Sequence, residues 1–169
     1  AKQQEWYKNT LFVIVADHCA SSAGSTELPL DGYRIPCFIY ADFITPKKVD
    51  TLVSQIDVMP TVLGLLNFEY TSKFIGQDVF SGYYTPRAYI ATYQDLGYLS
   101  PTHLTIVSPL NKIRQYQLLP EEEQPAKDYP LFYEQQAQTP TGQEVKECIS
   151  AYQATSHWLK KQQLNAVKK

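Results

Sequence analysis

Basic excess is the first thing this sequence lacks. Its 169 residues hold 15 Lys and Arg against 17 Asp and Glu, a formal charge of −2. That balance argues against a nucleic-acid binder driven by counterion release, which needs a basic face or stripe. Long apolar runs are also missing: none approaches the roughly 18 residues of a membrane span. The opening Ala1-Lys2-Gln3-Gln4-Glu5 has no apolar segment of the signal-peptide kind. As given, the chain is expected to be a soluble piece. Cysteine is scarce and unpaired in spacing: Cys19, Cys37 and Cys148 form no Cys-x-x-Cys motif. An odd count without that motif disfavours a disulfide scaffold and a four-cysteine zinc site, although one disulfide stays open. What is abundant is apolar side chain, 44% of residues with 13% aromatic, enough for a packed core and against global disorder.

The most legible segment is Leu11-Phe12-Val13-Ile14-Val15-Ala16, an unbroken β-branched and aromatic run that meets Asp17-His18. Without alternation it reads as a strand buried on both faces, central in a mainly parallel sheet covered by helices. Residues 2–8 read as the end of a helix, with Asn9-Thr10 as the break. Small residues 19–26 form a loop suited to close approach of a ligand. Residues 35–40 read as a second strand, with Pro36 near its start where a missing donor costs least. In Gln55-Ile56-Asp57-Val58-Met59-Pro60-Thr61-Val62-Leu63, Asp57 is placed to cap a short core helix whose first turn tolerates Pro60. Val58, Val62, Leu65 and Leu66 then share a face.

The second half changes character. Residues 88–93, 104–107 and 113–118 are β-prone runs separated by Gly97, Ser100-Pro101 and Ser108-Pro109, a spacing that predicts an antiparallel meander. Residues 120–130, with Glu121-Glu122-Glu123 and three prolines, read as a solvated loop. From Gln143 to about Leu164, Val145, Cys148, Ile149, Tyr152 and Leu159 recur at helical spacing, predicting a terminal amphipathic helix with a Lys-rich frayed end. The expected organisation is residues 1–82 as part of an α/β core, 83–119 as antiparallel strands, 120–142 as a surface loop region and 143–169 as the closing helix.

Asp17-His18 at the carboxyl end of a strand is the strongest chemical signal, since open α/β sheets place ligands outside those ends. A carboxylate and an imidazole there can both bind a divalent ion, provided the chain leaves the pleat so that adjacent side chains face the same way. Two residues alone cannot complete a metal site; taken in isolation, Asp17 reads as a turn cap and His18 as a partly buried histidine. Cys19 reads as a packed thiol, and His103 and His157 as structural or surface residues. Tyr83, Tyr84, Tyr89, Tyr93, Tyr98, Tyr116, Tyr129, Tyr133 and Tyr152 invite a carbohydrate platform, but their dispersal over several elements favours packing roles.

Together, Trp6-x-x-Asn9-Thr10 running into the apolar strand and Asp17-His18, then Ile35-Pro36, then residues 55–63, resemble the C-terminal part of the alkaline phosphatase and sulfatase superfamily. Within it they are similar to lipoteichoic acid synthase-like phosphoglycerol transferases. The fold class implied is α/β, with mainly parallel strands flanked by helices plus a small antiparallel meander. The resemblance implies that Asp17 and His18 supply two ligands of a divalent metal, manganese or magnesium first, zinc or calcium also compatible. A glutamate and the nucleophilic threonine of that family lie upstream and match nothing here, so no catalytic residue is assigned within the chain. Related phosphoethanolamine transferases carry a further phosphate-binding histidine; that region here reads Glu27-Leu28-Pro29-Leu30-Asp31. Glu27 and Arg34 are its candidate replacements.

The activity implied for a full-length parent is threonine attack on a phosphodiester, followed by transfer of the group to an acceptor alcohol or water. The substrate class is a phosphoglycerol- or phosphoethanolamine-type lipid or glycan, and the fragment alone is expected to be inactive. The implied partner is the N-terminal remainder of the same catalytic domain, with membrane contact only through helices upstream and no nucleic acid. The implied location is the cytoplasmic membrane, with this part periplasmic or extracellular. Two alternatives stand beside it: a sulfate-ester hydrolase, whose Cys-x-Pro-x-Arg site none of the three cysteines supplies, and a noncatalytic envelope module of the same fold.

Overall fold

The structure, a computed structural model, describes residues 1–19, 28, 30–118 and 134–161. It divides into two compact units, Ala1–Thr51 and Leu52–Lys169.

The first unit opens with a 3-10 turn over Glu5–Asn9, followed by strand β1 (Phe12–Val15), a single-turn helix α1 (Leu30–Tyr33) and strand β2 (Cys37–Tyr40). β1 and β2 pair antiparallel, Phe12 opposite Tyr40 and Val15 opposite Cys37. Tyr7 on the 3-10 turn is buried, with its ring 5.7 Å from Phe12 and 6.4 Å from Tyr40. Its hydroxyl donates to the Tyr40 hydroxyl at 2.8 Å, which donates to Asp42 at 2.7 Å. This aromatic clasp holds one end of the ribbon. At the other end Ile14 and Phe38, opposite each other in the register, are both 62% exposed.

The strands of this unit were expected to be mainly parallel, with β1 buried on both faces. The α/β class holds, but every pairing among the described residues is antiparallel. An unbroken apolar run reports capacity for burial and carries no strand direction. A two-stranded ribbon also cannot cover its own faces.

The second unit starts with a 3-10 turn, Gln55–Asp57, that runs into helix α2 (Val58–Leu65). Pro60, Thr61 and Val62 are its buried residues, while Met59 is exposed. The helix stops because Asn67 takes a left-handed conformation, φ 53°. This lets the Phe68 N–H reach the Leu63 carbonyl and the Asn67 N–H the Gly64 carbonyl, both at 3.0 Å. The chain then returns across α2: a Cβ on Gly64 would strike the Asp78 carboxylate, and one on Gly76 the Ile56 carbonyl. Glycine is required at Gly76, where the obstacle is backbone, while a Cβ at Gly64 would displace the Asp78 side chain.

Strands β3 (Ala88–Ala91), β4 (Leu96–Leu99), β5 (His103–Ser108), β6 (Lys112–Leu118) and β7 (Glu134–Gln138) form one five-stranded sheet in sequential antiparallel order. Helix α3 (Gly142–Lys160) packs on β4 and β5. Ile90, Leu99, Leu104 and Ile106 from the sheet and Cys148 from α3 are buried between or within these layers. The Gln115 carboxamide, fully buried on β6, donates to Thr105 at 2.9 Å and to the Glu144 carboxylate. Its oxygen accepts the Thr141 N–H at 3.0 Å, docking the start of α3 on the sheet.

Two sequence expectations shift. Gly97, read as a turn residue, lies inside β4 opposite Ile90 and Ile106. The turn falls at Tyr93-Gln94 instead, where the Thr92 hydroxyl accepts the Asp95 N–H at 3.0 Å and Thr92 N–H reaches the Asp95 carbonyl. Residues 134–138, placed in the surface-loop region, add β7 to the sheet edge. The rest of that acidic, proline-rich stretch, residues 119–133, and the Lys-rich end, 162–169, lie outside the described residues.

Candidate metal centre

β1 delivers the site. The strand ends at Val15, and the chain bends at Asp17 and His18 rather than continuing the pleat. The His18 N–H donates to Asp17 Oδ1 at 3.0 Å, which turns the carboxylate toward the following residue. As a result Asp17 Oδ2 and His18 Nε2 face each other at 3.6 Å, with the two side chains 89% and 78% exposed. Two donors each about 2.1 Å from one ion sit roughly 3.0–3.5 Å apart. The pair therefore needs only a small rotation to hold a single divalent cation.

The imidazole is also oriented. His18 Nδ1 lies 2.7 Å from the Cys19 carbonyl oxygen. A carbonyl can only accept, so Nδ1 carries a proton, and in the neutral ring Nε2 holds the lone pair on the Asp17 side. Such a backbone partner behind a ligating histidine fixes both tautomer and ring plane. The Cys19 carbonyl, followed by the Asp17 charge, raises the His18 pKa above its ordinary 6.5. The ring is a better base for it, and a cation at Nε2 must displace a more firmly held proton.

The sequence sets Asp17 and His18 side by side but does not show the carbonyl behind the ring. The loop's small residues signalled irregular backbone, but which carbonyl turns inward is decided by torsions. Among the described residues, no three His, Cys, Asp or Glu side chains gather around one point. Glu27 lies outside the described residues. Arg34 is exposed, one residue past α1. Cys19, Cys37 and Cys148 are all free thiols, and only Cys148 is buried. His103 sits beside Glu144, 3.6 Å from its carboxylate, in the polar contact that docks α3, and His157 is exposed on that helix. Asp57, expected to cap α2, makes no side-chain cap there. Its carboxylate instead joins the capping box of the preceding 3-10 turn and grips Arg87 through two contacts of 2.9 Å.

Residues 1–68 match the Sulfatase family model. The matched stretch contains β1, the Asp17-His18 bend, β2 and α2, the same segments on which the sequence resemblance stood. The fold agrees at the level of the whole chain. A protein of the alkaline phosphatase superfamily from Vibrio parahaemolyticus superposes with a TM-score of 0.83 at 21% identity, over 98% of this chain. The chain spans 39% of the length of that structure. The α/β architecture is thus that of part of an alkaline phosphatase-like fold. Among the described residues, no helix is long and apolar enough to cross a membrane.

Proposed function

We propose that this chain is the metal-binding, C-terminal part of a phosphoglycerol or related head-group transferase or phosphodiester hydrolase acting on envelope lipids or glycans. The observation that carries the reading is the Asp17-His18 bend at the end of β1, with Nε2 and Oδ2 turned toward each other and Nδ1 tied back to a carbonyl. Asp17 contributes negative charge to hold a divalent ion, and His18 a neutral imidazole held in one plane. A bound divalent cation, manganese or magnesium first, supplies Lewis acidity toward phosphoryl oxygens. Glu27 and Arg34 remain candidates for contacting the phosphoryl group. The nucleophile and the remaining ligands belong to an upstream segment of the same domain. The apolar faces of β1 and β2, with Ile14 and Phe38 exposed, suit cover by that segment. This reading puts the parent in the cytoplasmic membrane, with this part outside the cytoplasm, on the resemblance alone.

A second reading, a sulfate-ester hydrolase, is favoured by the description of the family model that matches residues 1–68. The two separate on substrate. A full-length parent should release diacylglycerol from phosphatidylglycerol in the presence of manganese, and sulfate from an aryl sulfate only under the second reading. Asp17→Asn in that parent should abolish metal-dependent turnover with no change in fold by circular dichroism. Full activity in that variant would overturn the assignment of Asp17, and metal-dependent turnover by the 169-residue chain alone would overturn the upstream nucleophile.

A further inference from the structure

The second unit carries an open groove of about 410 Å³, within the size range of small-molecule sites. One wall is the β3–β4 pair, where Tyr89 and Tyr98 stand opposite each other with ring centroids 5.7 Å apart. The other wall is α3, which contributes Glu147 and Trp158. The helix positions between those two that line the groove are small, Ser150, Ala151, Ala154 and Thr155, while Tyr152 beside them reaches the Ile90 carbonyl at 2.7 Å. The small positions follow the three- and four-residue spacing of one helix face.

The lining selects a chemistry. Arg87 borders the groove, but its guanidinium is buried and paired through both terminal nitrogens with Asp57. Its charge is neutralised in place, and Glu147 is the other charged group in the lining, so an anion such as phosphate or sulfate is disfavoured. The Glu147 carboxylate already accepts from Gln143 at 2.7 Å and from the Tyr98 hydroxyl, which weakens its claim on an organic cation. The remaining polar groups are neutral donors and acceptors. Gln77, for one, accepts the Thr85 N–H at 2.9 Å and keeps its NH2 as a donor. Trp158 is 39% exposed despite its size. Flat rings with hydroxyl and amide neighbours match a molecule that has an apolar C–H face and a rim of hydroxyls.

We propose that this groove binds a neutral carbohydrate, a pyranose unit of a glycan, with Trp158 and Tyr89 as the stacking surfaces and Glu147 and Gln77 as hydroxyl partners. The proposal goes beyond the head-group transfer reading and stands independently of the Asp17-His18 site.

The test is a titration of the 15N-labelled chain with cellobiose, maltose and N,N′-diacetylchitobiose. The readout is the indole N–H signal of Trp158, told apart from that of Trp6 through Trp6→Phe. The expected result is a saturable shift of Trp158 with at least one disaccharide while Trp6 stays in place. Ala154→Leu, which fills the groove floor, should weaken that binding about tenfold or more, with a dispersed amide spectrum retained. Should that variant lose its dispersed spectrum, Trp158→Ala carries the same expectation by calorimetry. No saturable shift with any of the three sugars would overturn the proposal. So would undiminished affinity in the filled or ring-deleted variant, or a response confined to glycerol 1-phosphate or to tetramethylammonium.

Discussion

Asp57 is fully buried, and every charge-bearing atom of it is occupied. One carboxylate oxygen takes the Gln77 N–H at 2.8 Å and an Arg87 nitrogen at 2.9 Å. The other takes the Ser54 N–H at 3.0 Å, the second Arg87 nitrogen at 2.9 Å and the Tyr84 hydroxyl at 3.3 Å. A buried ion pair of this kind contributes little over an apolar replacement of both partners, but removing one partner strands a charge in a low dielectric. Arg87→Met should therefore destabilise the fold by about 3–5 kcal/mol in urea unfolding, and a loss below about 1 kcal/mol would contradict the clamp. The aspartate was visible in the sequence as a polar residue at the head of an apolar helix. Its partner was not, because Arg87 lies 30 positions away and only folding brings the two together.

At the scale of elements, the hairpin between β5 and β6 shows where local rules are broken. Ser108 pairs with Lys112, and the connection passes through Leu110 at φ 63° and Asn111 at φ 57°. Left-handed backbone is ordinary for asparagine but strained for leucine, whose Cβ crowds the carbonyl. Leu110 is also 91% exposed, so no packing offsets that strain. Leu110→Asn is expected to raise stability by about 0.5–1 kcal/mol, read as a higher thermal midpoint. An unchanged or lower midpoint would argue that the loop relaxes at no cost. The same hairpin explains why the meander was legible: Ser108-Pro109 cannot continue a central strand, and β-prone runs flank it. The β3–β4 hairpin was harder, because Gly97 attracted the turn assignment that the Thr92 hydroxyl in fact secures for Tyr93-Gln94.

For the molecule as a whole, two acids, the fully buried Cys148 and the half-buried Tyr84, make stability fall at alkaline pH. Burial of Cys148 between α3 and the sheet pushes its thiol from 9.0 up to about 11. Burial, then the neighbouring Asp57 charge, pushes the Tyr84 hydroxyl from 10.0 up to about 12. Both groups bind their protons more firmly folded than unfolded, so the folded state holds more protons above the unfolded values. Their contribution is complete below pH 9 and is lost as pH rises through about 11 for the thiol and about 12 for the phenol. The urea midpoint should therefore fall between pH 9 and pH 11, and Cys148→Ala should flatten the lower part of that fall relative to its own value at pH 8. An identical slope in the variant would remove the thiol from the account.

The sequence by itself determined what depends on near neighbours: the apolar strand meeting Asp17-His18, the short helix with Pro60 in its first turn, the antiparallel runs and the closing helix. Periodicity, caps and turn residues act within a few positions, so they can be read along the chain. Only the tertiary structure decided that β1 pairs antiparallel with β2, that the Cys19 carbonyl orients His18, and that Asp57 is held by Arg87. It also gathered Tyr89, Tyr98 and Trp158 around one groove, though the tyrosines read as dispersed. Each of these is fixed by backbone torsions or by contacts between residues distant in sequence, and hydropathy patterning carries neither direction nor partner.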